Sequence, residues 1–137
     1  MDNPNSVRLD RAIADWNRGD LERYLTLYDE GIRLHGYAPE PMDKESVRGF
    51  YEQHFAAFPG GQIELLHTFA DGDDVVTRFV MRGRHEAEFL GVPATGRDIE
   101  LNGITILRFR DGLVVERWSQ ADMLGLLVQF GAVPAPA

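Results

Sequence analysis

Residues 98–122 read DIELNGITILRFRDGLVVERWSQAD. From Asp98 to Arg110 apolar and polar residues alternate, the period of a half-buried strand. Asp111-Gly112 follows, a pair that accepts positive φ at both central places of a tight turn and is the strongest hairpin signal in the chain. Leu113 to Ala121 is then the returning strand. A long hairpin of this kind needs a sheet around it, so the neighbouring segments are read against it.

Upstream, Ile63–Ala70 is a strand candidate, Asp71-Gly72-Asp73-Asp74 a turn, and Val75–Phe89 a long strand with a bend expected at Gly83. The loop Gly91–Gly96 leads into the hairpin. Before Gln62 the apolar period is that of helices. Val7–Arg18 places Leu9, Ala12, Ile13 and Trp16 on one face, with Asn5 or Ser6 as its cap. Leu21–Tyr28 is a second, short helix. Gly31–Tyr37 is a short strand. Lys44–Phe58 is a third helix, capped by Asp43 and ended by Pro59-Gly60-Gly61. After the hairpin, Met123–Phe130 is a last helix that stops at Gly131. Helices first and hairpin-joined strands after them predict an α+β fold: N-terminal helices packed on a strongly curved antiparallel sheet, with a hydrophobic cavity on the concave side.

The chain has 137 residues, which predicts a single domain over 1–137 with a core large enough to need no staple. It carries 14 Lys+Arg against 22 Asp+Glu, a formal net charge of -8, which argues against nucleic acid and against anionic membranes as partners. With 0 cysteines, disulfides, thiolate metal sites and cysteine nucleophiles are excluded. The start, MDNPNSVRLD, lacks a basic segment followed by an apolar one, and no apolar run approaches a membrane span; a cytoplasmic location is expected.

Few residues have the spacing of known chemistry. His35, His54, His67 and His85 form no HxH or HExxH pattern, so no metal is expected. His54 and His67 read as surface or satisfied core residues, whereas His35 and His85 lie on strands that can face a pocket. No GxSxG elbow surrounds Ser119. Arg78, Arg82 and Arg84 read as the solvated face of their strand, with Phe79, Met81 and His85 inward. Trp118, Gln120 and Asp122 share one parity, so a regular strand points all three the same way. Asp122 also stands directly before a helix. It is either an N-cap or a carboxylate at the pocket wall acting as general acid/base, and the two roles are compatible.

These residues carry a resemblance. Gly83-Arg-His85, Phe89-Leu-Gly-Val-Pro-Ala-Thr-Gly-Arg97, the Arg108–Gly112 turn, and Val115–Asp122 followed by Leu124–Gly131 resemble the SnoaL-like polyketide cyclase family of the NTF2-like superfamily. The match covers about Val75 to Gly131. The resemblance implies a cone-shaped α+β fold around a hydrophobic cavity, dimers formed through the sheet, and intramolecular aldol closure of a polyketide ester without metal or cofactor. It implies that Asp122, at the end of W-x-x-x-D, is the acid/base, with Trp118 the matching tryptophan. The family's polar positions on the preceding strand fall near Ile106 and Arg108. Ile106 cannot donate a hydrogen bond, while Arg108 has the charge to hold an enolate oxygen.

The expected enzyme thus takes a small hydrophobic carbonyl compound. Its expected catalytic residues are Asp122, His85 and Arg108. Trp118, Gln120, His35, Tyr51, Phe55 and Phe79 are expected to contact the substrate, and a homodimer is expected. The competing reading is a non-catalytic small-molecule-binding module in which Asp122 is only a cap. Whether polar groups converge on Asp122, with Arg108, His35 and His85 inward, separates the two.

Overall fold

A computed structural model describes residues 3–136. The elements run α1 (Pro4–Asn17), α2 (Leu21–Leu25), β1 (Tyr28–His35), α3 (Lys44–Ala57), β2 (Gln62–Asp71), β3 (Asp74–Arg84), β4 (Asp98–Arg110), β5 (Leu113–Ala121) and α4 (Met123–Phe130). One five-stranded sheet has the order β1-β5-β4-β3-β2. The β2–β5 pairings are antiparallel, but β1 lies parallel to β5, so the sheet is mixed rather than wholly antiparallel. The parallel pair needs a crossover, and α3 with the β2–β4 meander supplies it.

The hairpin forms as its residues dictate: Asp111 and Gly112 adopt φ values of 53° and 80°. Its register holds a surprise. Phe109 pairs with Val114, but Arg108 pairs with Glu116, leaving Val115 as an extra residue in β5. This bulge flips the alternation. An unbroken register from the turn would set Trp118 opposite Thr105, on the buried face. The bulge sets Trp118 opposite Ile106 on the outer face and brings Arg117, opposite Leu107, inside. A second bulge at Leu66 in β2 likewise leaves Phe69 on the outside.

Helix ends follow their caps. Asp43 accepts from Ser46 N–H, and Asp122 from Gly125 N–H. Gly131 closes α4 with φ 78°. The first helix starts earlier than expected because Asn3, not Asn5 or Ser6, caps it. The second is shorter, and Tyr28 already belongs to β1, since Tyr28, Ile32 and Leu34 bury one side of that strand. β3 ends at Arg84, so His85, Ala87 and Phe89 lie in the following loop rather than in strand. Gly83 is no bend but a close approach: an added Cβ there would sit 3.1 Å from Phe58 Cβ.

The helices cover the concave face of the sheet. Asn17 ties α1 to β2 by two bonds, Nδ2 to the Ile63 carbonyl (2.9 Å) and the Ile63 N–H to Oδ1 (2.8 Å). One apolar cluster joins α1, α2, β1 and α3 around Trp16, Tyr24 and Tyr51. A second joins the end of α3 to α4 around Phe58, Phe89 and Phe130.

After β1 the chain turns at Gly36, with φ 93°. A Cβ added to Gly36 would lie 1.9 Å from the Ser119 carbonyl oxygen of β5. Both the backbone angle and the contact demand glycine. Gly36→Ala is expected to cost more than about 2 kcal/mol in urea unfolding; a variant as stable as the parent would show that β1 and β5 do not pack this closely.

Candidate functional site

Between the two apolar clusters lies a cavity of about 280 Å³, near the lower end for small-molecule sites. Its helical wall holds Trp16, Tyr24, Phe50, Tyr51 and His54, and its sheet floor holds Phe79, Met81, Leu101, Arg117, Ser119 and Ala121. None of the lining residues is acidic, and Arg117 is the one charged side chain among them.

Arg117 is held from several sides. Nε donates to Thr105 Oγ1 at 2.9 Å. Nη1 donates to Tyr28 Oη at 2.5 Å, to Tyr24 Oη at 3.0 Å and more distantly to Tyr51 Oη at 3.4 Å. Its guanidinium carbon stands 5.9 Å from the centre of the Tyr37 ring, a cation–π distance. The chain has 4 tyrosines, and all of them meet here. Their hydroxyls form a run: Tyr24 to Tyr28 (3.2 Å), Tyr28 to Tyr51 (2.6 Å) and Tyr51 to Tyr37 (3.0 Å). A guanidinium only donates, so the phenol oxygens nearest it accept and pass their own protons onward. Nη2 makes no bond to a protein acceptor among the described residues.

The charge stays in place. Burial opposes it, but the phenol oxygens around Arg117 outweigh burial and hold its pKa above the ordinary value. Burial is also the main cause that raises the pKa of Tyr28 and Tyr51 well above 10.0, so neither supplies a counter-ion. The cavity is therefore an apolar chamber with one uncompensated positive charge.

His54 is the one histidine of the wall. It is 8% exposed and packs among Trp16, Phe58 and Phe89, and its Nε2 has no hydrogen-bond partner. Burial lowers its pKa to about 4, so the ring is neutral near pH 7.

The residues expected at the site separate into groups. Tyr51, Phe79 and Gln120 border the cavity. Phe55 does not; it packs behind the wall against Trp16, with ring centres 4.4 Å apart. Trp118, His35 and Arg108 lie on the outer face of the sheet, Trp118 through the Val115 bulge, His35 through its pairing with Trp118, and Arg108 through the regular alternation of β4 itself. His35 stacks on Trp118 at 5.5 Å and meets Glu116 at 2.7 Å, and the Arg108 guanidinium carbon stands 5.2 Å from the centre of the Trp118 ring while Arg108 pairs with Asp74. Ile106, opposite Trp118, is also outside.

His85 is 0% exposed and does not line the cavity. It stacks on Phe130 at 4.0 Å, and its Nδ1 meets Thr95 Oγ1 at 3.0 Å. It thereby fastens the Thr95–Arg97 loop, whose Arg97 holds the Gln129 carbonyl of α4 at 2.9 Å. Asp122 is exposed and serves as the cap of α4; its neighbours Ala121 and Met123 line the cavity, but Asp122 does not.

Sequence reasoning passed over Arg117, Tyr24 and Tyr37, and it read His54 as a surface or satisfied core residue, whereas His54 lines the cavity with its buried Nε2 unpartnered. The tyrosines look like ordinary members of apolar stripes, and Arg117 sits on the parity that an unbulged strand would turn outward. The usable signal was an arginine in β5 together with every tyrosine of the chain upstream of it.

The SnoaL-like polyketide cyclase model matches residues 7–130. The chain belongs to that family. Among solved structures it is similar to IdmH of Streptomyces antibioticus, a proposed polyketide cyclase, with 34% identity, a TM-score of 0.80 and coverage of 93% of this chain and 98% of that one. AclR of Streptomyces galilaeus, a proposed hydroxylase, is similar at 30% identity and a TM-score of 0.88, over 95% and 97% of the two chains. TsrD of Streptomyces laurentii gives 28% identity and a TM-score of 0.85, over 97% and 99%. Among curated proteins nothing matches. The fold is thus the NTF2-like cone, and neighbours with different proposed reactions share it. No helix among the described residues is long and apolar enough to cross a membrane.

The His54 shift has a sign that can be measured. The unfolded chain takes up the proton near the ordinary pKa of 6.5, the folded chain only near 4. The stability this group contributes is full above 6.5 and is lost as pH falls toward 4, a difference of about 3 kcal/mol. His54→Leu is expected to flatten the fall in unfolding free energy between pH 7 and 4.5; an unchanged slope would place the titrating groups elsewhere.

Proposed function

We propose that this chain is a cyclase-type enzyme that binds a small hydrophobic carbonyl compound in the cone cavity and promotes proton transfer and ring closure without a cofactor. The observation that carries the reading is the single uncompensated guanidinium in an apolar chamber. A developing enolate or alkoxide oxygen needs donors that are already in position, and such donors act strongly where water is excluded. Arg117 Nη2 and the Tyr37 hydroxyl, at the end of the phenol run, are the donors available to a ligand. The aromatic wall excludes water and holds the carbon skeleton.

In this reading Asp122 orients α4 on the cavity wall as its cap. The acid/base role that the family resemblance implies for it requires a ligand to reach its carboxylate, of which Oδ1 makes the cap bond and which does not line the cavity. His85 and Arg108 act through structure: His85 fastens the loop, and Arg108 steadies Trp118 on the outer face. The non-catalytic binding module is favoured by one observation, that no carboxylate lines the cavity.

Proton exchange into D2O at the acidic C–H of ethyl 3-oxo-3-phenylpropanoate, followed by NMR, tests the reading. Arg117→Met is expected to remove at least about nine-tenths of any protein-dependent exchange, the loss of one oxyanion donor being worth about 10²–10³ in rate. Asp122→Asn is expected to keep both exchange and thermal midpoint, because Asn caps about as well as Asp. Exchange lost in Asp122→Asn at unchanged stability would return the acid/base role to Asp122. Exchange unchanged in Arg117→Met would favour the binding module.

The homodimer belongs to the same proposal. Ile104 and Ile106 are 52% and 38% exposed on the outer face of the sheet, beside Trp118, and Phe69 is exposed on the same sheet. Such a patch is a candidate for covering by a second copy. Sedimentation is expected to give a dimer that Ile104→Lys combined with Ile106→Glu converts to monomer; a monomeric parent would reject it.

A further inference from the structure

We infer that the four tyrosines form a one-way hydrogen-bond run in which Tyr37 is the specificity-determining donor to a ligand carbonyl oxygen and Tyr28, which touches no ligand, is a positioning residue that links Tyr37 to Arg117. The inference rests on the functional reading above and deepens it by the residues that select the ligand. It is carried by a count of protons. The chain has 4 tyrosines, and their hydroxyls are joined in the order Tyr24, Tyr28, Tyr51, Tyr37. Four hydroxyls so joined share three bonds, and each phenol has one proton to give. One proton is therefore left over. Burial keeps Tyr28 and Tyr51 protonated, so the run has no gap.

The surroundings decide where the spare proton sits. Tyr28 Oη accepts from Arg117 Nη1 at 2.5 Å. A spare proton on Tyr28 would require the same oxygen to accept from Tyr24 and Tyr51 as well, more donors than its lone pairs can serve. Tyr24 and Tyr51 are 3% and 5% exposed, and neither has an acceptor outside the run among the described residues. A spare proton on either is buried without a partner, which is costly. Tyr37 is half-buried on the cavity wall, where an incoming oxygen can reach it. The favoured order is thus Tyr24 to Tyr28 to Tyr51 to Tyr37, each hydroxyl donating to the next.

Arg117 donates to the first two oxygens of this run, and a charged donor polarises the protons they pass on. Bonds in such a chain strengthen one another by about 10–30% each. Tyr37 is also fixed in place. Gly36 seats the chain against the Ser119 carbonyl, and the Tyr37 ring meets Phe50 at 5.6 Å and the Arg117 guanidinium at 5.9 Å. A donor fixed in an apolar wall selects strongly, because a ligand without the matching acceptor leaves it unpaired. Tyr28 does not line the cavity, so its hydroxyl reaches a ligand only through the run.

The probe is 1-(naphthalen-2-yl)ethanone. Its control is 2-(prop-1-en-2-yl)naphthalene, which has the same shape and no acceptor. Equilibrium dialysis reads occupancy. Isotope-edited infrared difference spectra, with carbon-13 at the ketone carbonyl, read the strength of its hydrogen bond at equal occupancy. The bound C=O stretch is expected below its position in hexane. Tyr37→Phe is expected to abolish that shift and to weaken the ketone about tenfold, the loss of one hydrogen bond, while the hydrocarbon binds no more weakly. Tyr28→Phe is expected to keep the ketone bound and to reduce the shift, which a merely structural role does not do. Ketone that binds without a shift in the parent, or whose shift survives Tyr37→Phe, overturns the inference and leaves the cavity reading standing. A shift unchanged in Tyr28→Phe overturns it as well. Failure of both ketone and hydrocarbon to bind overturns the inference and the cavity reading together. If Tyr28→Phe does not fold, Tyr51→Phe interrupts the same run, with a reduced shift expected and an unchanged one counting against the inference.

Discussion

Arg117 is bound by three tyrosine hydroxyls and a threonine, and those partners come from α2, β1, α3 and β4. Each element is thereby positioned against β5 by a directional bond as well as by packing. Apolar packing alone tolerates sliding, whereas a fork of N–H donors does not. The cavity lies between the two apolar clusters, and Arg117 is the one charged side chain in its lining.

That guanidinium is inside because of one extra residue. Val115 breaks the pairing of β4 with β5, and every side chain from Glu116 onward changes face. The outer face then acquires Trp118 between His35 and Arg108, while Arg117, Ser119 and Ala121 form the floor. Without the bulge the tryptophan would point at the helices and the arginine at solvent. Bulges commonly re-aim side chains beside functional sites.

The motifs that carry the family resemblance have structural work in this chain. His85 and Thr95 join the end of β3 to the loop before β4, and Arg97 fastens that loop to α4. Asp122 caps α4, and Gly125 is small where an added Cβ would sit 2.2 Å from the Asp122 carboxylate. The pattern from Gly83 to Gly131 thus describes how the open end of the cone is closed. It identifies the fold, and it says less about which groups face the ligand.

Elements whose signals are local were readable from the residues: the Asp111-Gly112 hairpin, the Asp43 and Asp122 caps, the Gly131 stop, and the helical stripe through Trp16 and Tyr51. Each depends on φ preferences, capping oxygens or periodicity within a few positions, and the caps and turn keep their places in the structure. The parallel seat of β1 and the side on which β5 presents its arginine were not readable, because both depend on pairing across the sheet. His35 was expected at the ligand as a residue of a strand able to face a pocket, Arg108 through the family resemblance, and Trp118 by the parity it shares with Gln120 and Asp122 in an unbroken register. A single bulge reverses that assignment without any change in local pattern, since alternation specifies which residues share a face but not which face is buried. The tyrosines of α2, β1, the following loop and α3 likewise become one cluster only when the helices close over the sheet. Local chemistry in the sequence determined the elements and their ends; the register of β5 and the closure of the cone decided what the cavity contains.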